Sequence, residues 1–280
     1  MTFAITGASG QLGRLAIEKL KTLVAPDTIL ALARRPDSVG ERGVQARAFD
    51  YTMPETLAPA LEGVDVLALI SSSDFDDRVG QHRNVIEAAV AAGVKRLVYT
   101  SILKADTSPL IIAQDHKATE ALLAESGLTT TILRNGWYTE NWTATLPAAV
   151  EAGALIGCLG EGRVSPATRQ DYAEALAAVV AGQGHEDKVY ELGGEVFTMP
   201  QMAEAVSGIV GRTIPYTALP RSAFEEILGS LGLPEGFPTV IADAEEGAAR
   251  GWLLDENGSL ARLIGRAPLS MKAAVSAALA

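Results

Sequence analysis

The chain has 280 residues, of which 48% are hydrophobic and 20% charged, and its formal net charge is −11 at pH 7. This apolar content excludes a disordered chain, and the acidic balance disfavours nucleic acid as a partner because phosphates repel a negative surface. The single cysteine, Cys158, excludes an internal disulfide and, with no signal-peptide pattern and no run of about 18 apolar residues, predicts a cytoplasmic protein that does not enter membranes.

Short β-like runs alternate with longer helical runs from the first residues to Arg134. The predicted strands are Phe3–Thr6, Thr28–Leu32, Gln45–Phe49, Asp65–Ile70, Arg96–Thr100 and Thr129–Leu133. The predicted helices between them are Leu12–Val24, Pro54–Leu61, Arg78–Ala92 and Asp115–Glu125. Because each right-handed crossover returns a helix to the sheet, this alternation predicts an α/β fold with a doubly wound parallel sheet.

The pattern changes after Arg134, where glycines interrupt the chain and helices dominate. Further helices are predicted at Pro147–Glu151, Gln170–Ala181, Gln201–Val210, Ser222–Leu231, Ala242–Ala249 and Ser270–Leu279. We therefore predict a main domain over residues 1–150 and a smaller, mainly helical C-terminal lobe over residues 151–280. A strand at Lys188–Leu192 is expected to rejoin the main sheet.

A glycine-rich turn lies between the first strand and the first helix. The segment Ile5–Gly13 reads ITGASGQLG, with glycines spaced G-x-x-G-x-x-G. In a Rossmann-type fold such a turn brings backbone N–H groups at a helix start to a dinucleotide pyrophosphate. The predicted cofactor residues here are Gly7, Ala8, Ser9, Gly10, Gln11 and Leu12.

The end of the second strand indicates which nucleotide is bound. NAD sites usually place an acidic residue there, whereas this chain has Ala33-Arg34-Arg35-Pro36. A guanidinium can hold a 2′-phosphate with two hydrogen bonds, so Arg34 predicts NADP(H), with Arg35 or Arg14 in support.

Three serines, Ser71, Ser72 and Ser73, follow the strand Asp65–Ile70. The carboxyl end of a central strand lines the ligand crevice, so these hydroxyls are candidates for cofactor contacts. A helix N-cap and turn explain the same cluster equally well, and both interpretations stay open.

The proton relay of short-chain dehydrogenases, a Tyr-x-x-x-Lys pair, does not occur near the fifth strand, where Tyr99 and Lys104 are five residues apart. An acceptor that needs little acid catalysis, such as a quinone or another conjugated planar molecule, is therefore favoured. His116 could donate a proton or bind the nicotinamide ribose, or it could simply make a local bond. His82 and His185 are interpreted as surface or structural residues, and the spacing predicts no metal site.

Aromatic residues follow the sixth strand at the edge where ligands bind. Trp137, Tyr138 and Trp142 could stack on nicotinamide or on a planar substrate, and Asn141 could contact either molecule. Alternatively, the rings fill the seam between the two lobes.

These segments together resemble the NmrA-like group of atypical short-chain dehydrogenases/reductases, and within it the bacterial quinone and triphenylmethane dye reductases. The segments that carry the resemblance are ITGASGQLG, LISSSD, QHRNVIEAAVAAGVK, YTSILKADTSPL, LRNGWYTENW, ATRQDYAEA and KVYELGG. The resemblance implies NADPH bound along Gly7–Leu12, Arg34, Ser71–Ser73 and Trp137–Trp142, with a quinone or dye acceptor between the lobes.

Two functions remain open from the sequence. The first is a reductase that transfers hydride from NADPH to a quinone-like acceptor, with His116, Tyr138 and Asn141 as candidate catalytic residues. The second is an NADP(H)-binding redox sensor with little turnover, because some NmrA-like relatives act in this way. In either case the expected assembly is a monomer or a homodimer.

Overall fold

The computed structural model describes residues 1–39, 43–74 and 76–280. Within these ranges, seven parallel strands form one sheet in the order β3-β2-β1-β4-β5-β6-β8. The strands are β1 Phe3–Ile5, β2 Ile29–Ala33, β3 Gln45–Ala48, β4 Val66–Leu69, β5 Arg96–Ile102, β6 Thr129–Asn135 and β8 Lys188–Leu192. The order reverses between β1 and β4, which is the switch point where such sheets open a ligand crevice.

Helices cover both faces of the sheet, as the alternation of elements predicts. The helices of the main body are α1 Gln11–Leu20, α2 Pro54–Ala60, α3 Arg78–Ala91, α4 Ile111–Glu125 and α7 Arg169–Ala181. One hydrophobic cluster joins the sheet to α1 and α7, and a second joins it to α2 and α3. All seven residues of β5 are buried, as a strand covered on both faces requires.

A smaller, mainly helical region completes the chain. Its helices are α5 Glu140–Thr143, α6 Leu146–Ala152, α8 Met199–Val210, α9 Arg221–Ser230, α10 Phe237–Ala249, α11 Ser259–Ile264 and α12 Met271–Ala278. A two-stranded parallel sheet, β7 Leu155–Gly157 with β9 Tyr216–Ala218, lies in this region and was not predicted. A third hydrophobic cluster includes Trp142, Phe197 and Val275.

The predicted fold class is confirmed, and so is the return of a strand at Lys188–Leu192 to the main sheet, where it pairs with β6. The helix α7 packs mainly against α1 of the main body and also contacts α11 of the C-terminal region. No helix in the described part of the chain is long and apolar enough to span a membrane.

One helix boundary differs in a way that matters for function. The helix α4 begins at Ile111, four residues before the predicted start at Asp115. Its buried residues, Ala113, His116, Thr119 and Leu123, form one stripe toward the core. His116 therefore lies in the second helical turn on the inward face, and not at the helix start near the sheet edge.

Candidate functional site

The glycine turn has the tight geometry that phosphate binding requires. Gly7 has φ +58°, and a Cβ atom at Gly13 would lie only 2.3 Å from the Gly7 carbonyl oxygen. Gly10 is the N-cap of α1 and has no side chain to bond the first N–H groups of the helix. These amides and the positive end of the helix dipole are therefore left for an anionic ligand, so the residues present fit a dinucleotide pyrophosphate.

A cleft of about 720 Å³ opens in front of this turn, at the carboxyl ends of the strands. Of the predicted cofactor residues, those that line it are Gly7, Ser9, Gly10, Gln11, Leu12, Arg34, Ser71, Ser72, Ser73 and Tyr138. Ala8 is fully buried behind the turn, where its N–H donates to the Leu32 carbonyl. The cleft thus joins the glycine turn, the end of β2 and Tyr138 into one site.

Arg34 lies at one end of the cleft, directly after β2. Its side chain is exposed, and among the described residues it forms no salt bridge. Asp50 and Thr52, which follow β3, line the same end. An unpaired guanidinium at this position can bind the 2′-phosphate of a dinucleotide, as the sequence predicts.

The serine loop between β4 and α3 is held from behind by buried polar groups. The Ser72 N–H donates to His82 Nε2 at 2.9 Å, and the Ser72 hydroxyl donates to the Gln81 side chain at 2.7 Å. Because His82 Nε2 accepts, its proton resides on Nδ1, which faces the Thr119 hydroxyl at 2.9 Å. His82 is fully buried and shapes the loop from behind, so it has the structural role that the sequence allowed.

Two cleft features were not identified from the sequence. The Tyr51 hydroxyl lies 2.5 Å from the Thr6 hydroxyl and 2.9 Å from the Ile70 carbonyl oxygen, and so links the ends of β1, β3 and β4. Arg169, the first residue of α7, lines the cleft beside Tyr138. Tyr51 could have been identified from the sequence, because it follows a predicted strand at the edge of the sheet where ligands bind.

Tyr138 lies between two partners at the far end of the cleft. The Arg169 guanidinium carbon is 4.5 Å from the centre of the Tyr138 ring, and Tyr172 meets the ring edge-to-face at 5.6 Å. Burial raises the pKa of Tyr138, so its hydroxyl stays protonated at neutral pH. The predicted stacking of a ligand on Tyr138 is thus restricted, because the guanidinium covers one face of the ring.

The two tryptophans do not line the cleft, and the structure favours the alternative that their rings fill the seam between the lobes. Trp142 is 7% exposed, donates from Nε1 to Glu245 at 3.0 Å and packs edge-on against Phe197. Trp137 packs against the same hydrophobic cluster. The reason is the short helix α5, which turns Trp142 inward, so the rings fill the seam to the C-terminal lobe. Asn141 is exposed and also lies outside the cleft lining, where its side-chain oxygen accepts from Arg169 at 3.1 Å.

His116 does not line the cleft either, and its contacts fit the local bond that the sequence also allowed. Its side chain is 6% exposed, and Nδ1 lies 2.7 Å from the hydroxyl of Tyr99 in β5. Burial, assisted by the charge of Arg78, lowers its pKa well below the usual value. The imidazole is thus neutral and enclosed between α4 and the sheet, with no direct contact to the cleft. Within the described ranges, no group of three or more His, Cys, Asp or Glu side chains is placed to hold a metal ion.

The two buried histidines predict a steep loss of stability in mild acid. Burial and the nearby Arg78 lower the pKa of His82 to about 3, and the pKa of His116 is lowered in the same direction. A histidine in the unfolded chain has a pKa of about 6.5. Below that pH the unfolded chain therefore binds protons at these two histidines, whereas the folded chain does not. Full stability is expected above about pH 6.5, with a loss of about 1.4 kcal/mol per pH unit for each histidine as the pH falls.

Urea unfolding at several pH values between 7.5 and 5 measures this slope. His82→Gln and His116→Gln should each be less stable than wild type at pH 7.5. In each variant the slope of the free energy of unfolding against pH should be smaller by the contribution of one histidine. Variants with the wild-type slope would show that the histidines are protonated in the folded protein.

The fold and the cleft together define a Rossmann-type dinucleotide-binding protein. The defining features are the parallel sheet, the switch point between β1 and β4, and the cleft lined by the glycine turn. A family model described as NAD(P)H-binding matches residues 7–183. The chain therefore belongs to this NAD(P)H-binding family, and the predicted family resemblance is confirmed.

Individual relatives match along the whole chain. Quinone oxidoreductase 2 of Escherichia coli K12 is 46% identical over 277 residues, which cover 98% of this chain and 97% of the relative. The crystal structure of the NADPH-dependent quinone oxidoreductase of E. coli in complex with NADPH superimposes with a TM-score of 0.97 at 45% identity, covering 100% of both chains. The Citrobacter sp. triphenylmethane reductase complexed with NADP(H) has a TM-score of 0.94 at 32% identity, covering 99% of this chain and 100% of that one.

Proposed function

We propose that this protein is an NADPH-dependent oxidoreductase that transfers hydride to a quinone or a similar conjugated planar acceptor. The observation that carries the proposal is the composition of the cleft. Its lining includes the uncapped N-terminus of α1, the exposed Arg34 and Tyr138. The 46% identity to a quinone oxidoreductase supports the same chemistry. The bound nicotinamide supplies the hydride in such a reaction.

The chain's own residues have binding and orienting roles in this proposal. The glycine turn and Arg34 hold the dinucleotide, and the buried supports of Ser72 keep the serine loop against it. Tyr138 stays a phenol and can donate a hydrogen bond, but it cannot serve as a base near neutral pH. Because His116 is enclosed, the proton that completes a hydroquinone comes from water, which suits an acceptor that is already electrophilic.

Several other features of the chain are proposed on the same basis. We propose that the protein is an atypical short-chain dehydrogenase/reductase that lacks the Tyr-x-x-x-Lys pair. We also propose that it acts in the cytoplasm as a monomer or a homodimer and does not bind nucleic acid. We keep residues 1–150 as the cofactor domain and 151–280 as the acceptor lobe, with α7 and β8 contributed to the former. Asn141 is proposed to orient Arg169, because its side-chain oxygen accepts from that guanidinium.

NADPH oxidation followed by absorbance, with a panel of benzoquinones, naphthoquinones and triphenylmethane dyes, tests this function. We expect acceptor-dependent loss of NADPH for at least one class, with conversion to the hydroquinone or the leuco dye. NADPH binding without turnover of any acceptor would contradict the reductase and would favour an NADP(H) sensor. A reaction without the protein serves as the control for direct reduction.

A further inference from the structure

The turn between β5 and α4 lies at the carboxyl edge of the sheet, between two segments that line the cleft. The strand β5 pairs with β4 on one side and with β6 on the other. The segment after β4 contributes Ser71–Ser73 to the cleft lining, and the segment after β6 contributes Tyr138. Lys104 is the second residue of the turn, directly after β5 ends at Ile102. It therefore lies at the edge where the cleft opens, although it is not among the residues that line the cleft.

Lys104 has a backbone conformation that few residues with a side chain adopt. Its φ is +55°, in the left-handed region, where contacts of the Cβ atom disfavour most residues other than glycine. Its backbone N–H donates to the Glu191 carboxylate at 2.9 Å, and its carbonyl oxygen accepts the N–H groups of Thr107 and Ser108. These bonds fix the turn, and with it the direction in which the Lys104 side chain leaves it.

The Lys104 side chain reaches across the seam to the C-terminal lobe. Its Nζ donates to the Gly251 carbonyl oxygen at 2.7 Å, across 147 positions of the chain. Gly251 forms the turn after α10, where it adopts φ +81° and its N–H donates to the Ala248 carbonyl oxygen. The half-buried ammonium therefore joins the β5–α4 turn to the end of α10 by a charge-assisted hydrogen bond.

The helix α10 also contacts the other segments beside the cleft. Its Asp243 accepts the N–H of Ile111, the first residue of α4, at 2.8 Å. Its Glu245 accepts the indole N–H of Trp142 at 3.0 Å, and Trp142 lies in α5, which begins shortly after Tyr138. The position of α10 is thus coupled to the segments that follow both β5 and β6.

We propose that Lys104 is a positioning residue for the acceptor. Its bond to Gly251 holds the C-terminal lobe against the carboxyl edge of the sheet, and the affinity for a quinone or a dye depends on that bond. This inference rests on the proposed reductase function. The glycine turn and Arg34 follow β1 and β2, which lie beyond β4 from Lys104, so loss of the lysine side chain should leave coenzyme binding unchanged.

The left-handed conformation favours a role of the side chain over a role of the turn alone. A glycine would form this turn without steric cost, and the bonds to Glu191, Thr107 and Ser108 would remain because they use only backbone atoms of residue 104. The lysine adds the contact with Gly251, and its charge also interacts with Asp255. Both partners lie in the segment after α10, so the side chain acts on that segment.

Three variants separate the side chain from the turn. Lys104→Met keeps the length of the side chain but removes its charge and donors, whereas Lys104→Arg keeps both. Lys104→Gly removes the side chain and relieves the left-handed conformation, so it should unfold at a higher temperature than Lys104→Met. Lys117→Met, at an exposed position of α4, is the matched control for the loss of one positive charge.

The affinity for the acceptor can be measured without turnover, by titrating a naphthoquinone or a triphenylmethane dye into the protein saturated with NADP⁺. Loss of a charge-assisted hydrogen bond predicts an acceptor Kd about 10-fold higher in Lys104→Met and in Lys104→Gly. Lys104→Arg and Lys117→Met should stay within about twofold of wild type, and so should the Kd for NADPH in all four variants. In turnover assays the KM for the acceptor should rise by the same factor, with kcat unchanged.

Hydrogen exchange of residues 247–255 provides a second measurement, which needs no ligand. The N–H groups of Gly251 and Trp252 donate to carbonyl oxygens of α10, so they exchange only when this segment opens. We expect exchange to be about 10-fold faster in Lys104→Met than in wild type, and close to wild type in Lys104→Arg.

Several results would overturn the inference. Unchanged acceptor affinity in Lys104→Met, or a loss that Lys104→Arg does not restore, would remove the role of Lys104. An equal rise in the Kd for NADPH would show a general structural effect, and so would an acceptor affinity that recovers with stability in Lys104→Gly. If Lys104→Met does not fold, Lys104→Gly carries the test.

Failure of this inference is distinct from failure of the proposed function. A wild-type protein that binds the acceptor beside NADP⁺ but does not oxidise NADPH would refute the reductase and leave the test of Lys104 intact. Acceptor-dependent turnover with the same acceptor KM in wild type and Lys104→Met would keep the reductase and remove the role of Lys104. A wild-type protein that binds no quinone or dye beside NADP⁺ would refute both.

Discussion

Replacing Arg34 by aspartate is expected to weaken NADPH binding by roughly 100-fold or more, while NADH binding changes by less than about threefold. The substitution removes a guanidinium that can hold the 2′-phosphate with two hydrogen bonds, and it sets a carboxylate against a doubly charged phosphate. The exposed position of Arg34 means that salt will screen part of this effect. Titration of both coenzymes at low and at physiological ionic strength measures the difference.

The neighbouring arginine provides a matched control. Arg35 is also exposed and has the same charge, but it is not among the cleft-lining residues. Arg35→Asp changes the net charge of the protein by the same amount, so a general electrostatic effect would appear equally in both variants. We expect at most about a fivefold loss of NADPH affinity in Arg35→Asp. Equal losses for NADPH and NADH in Arg34→Asp would show that Arg34 does not bind the 2′-phosphate.

The sequence predicted the main sheet well because its signals are local and repeated. The buried strands are short and mostly apolar, and α3 and α4 are followed by Gly93 and Gly127, which adopt φ +71° and +73°. The strands β7 and β9 were missed because each has three residues and pairs only with the other, across a long separation in the chain. Such pairing depends on packing against α6 and α8, which no local pattern expresses.

The sequence predicted the cleft-lining residues where their place at a strand end decides it, and it did not do so where side-chain direction decides it. The glycine turn and Arg34 follow from their place at strand ends. Trp142 and His116 lie near that edge in sequence, yet a helical turn rotates both toward the interior. A shift of four residues in the start of α4 was enough to move His116 from the expected edge to the core.

Arg169 shows a different limit of sequence analysis. The helix after it was recognised, but its position beside Tyr138 depends on β8 pairing with β6 and on α7 packing against α1. Both are contacts between distant parts of the chain. A cation at the start of a predicted helix is informative about function only after the topology places that helix at the ligand-binding edge.

We expect replacement of Gly13 by alanine to weaken coenzyme binding by more than roughly 100-fold. We also expect it to lower the free energy of unfolding by about 3 kcal/mol. The new Cβ would lie 2.3 Å from the Gly7 carbonyl oxygen and 2.9 Å from its carbonyl carbon, and both are backbone atoms that no rotamer change can move. The start of α1 must therefore shift away from the turn, which misaligns the amides that face the pyrophosphate. Thermal unfolding should show a Tm lower by roughly 6–12 °C, and titration with NADPH should show the loss of binding.

A second glycine separates this steric effect from the general effect of alanine in a helix. Gly208 lies inside α8, where an added Cβ meets no atom within 4 Å. Gly208→Ala should stabilise the protein by up to about 1 kcal/mol, because alanine loses less backbone entropy in a helix, and it should leave NADPH affinity unchanged. Since Gly13 is also helical, alanine would stabilise it by the same mechanism if the close approach to Gly7 were relaxed in solution. A Gly13→Ala variant as stable as wild type would therefore contradict the tight turn on which the coenzyme site depends.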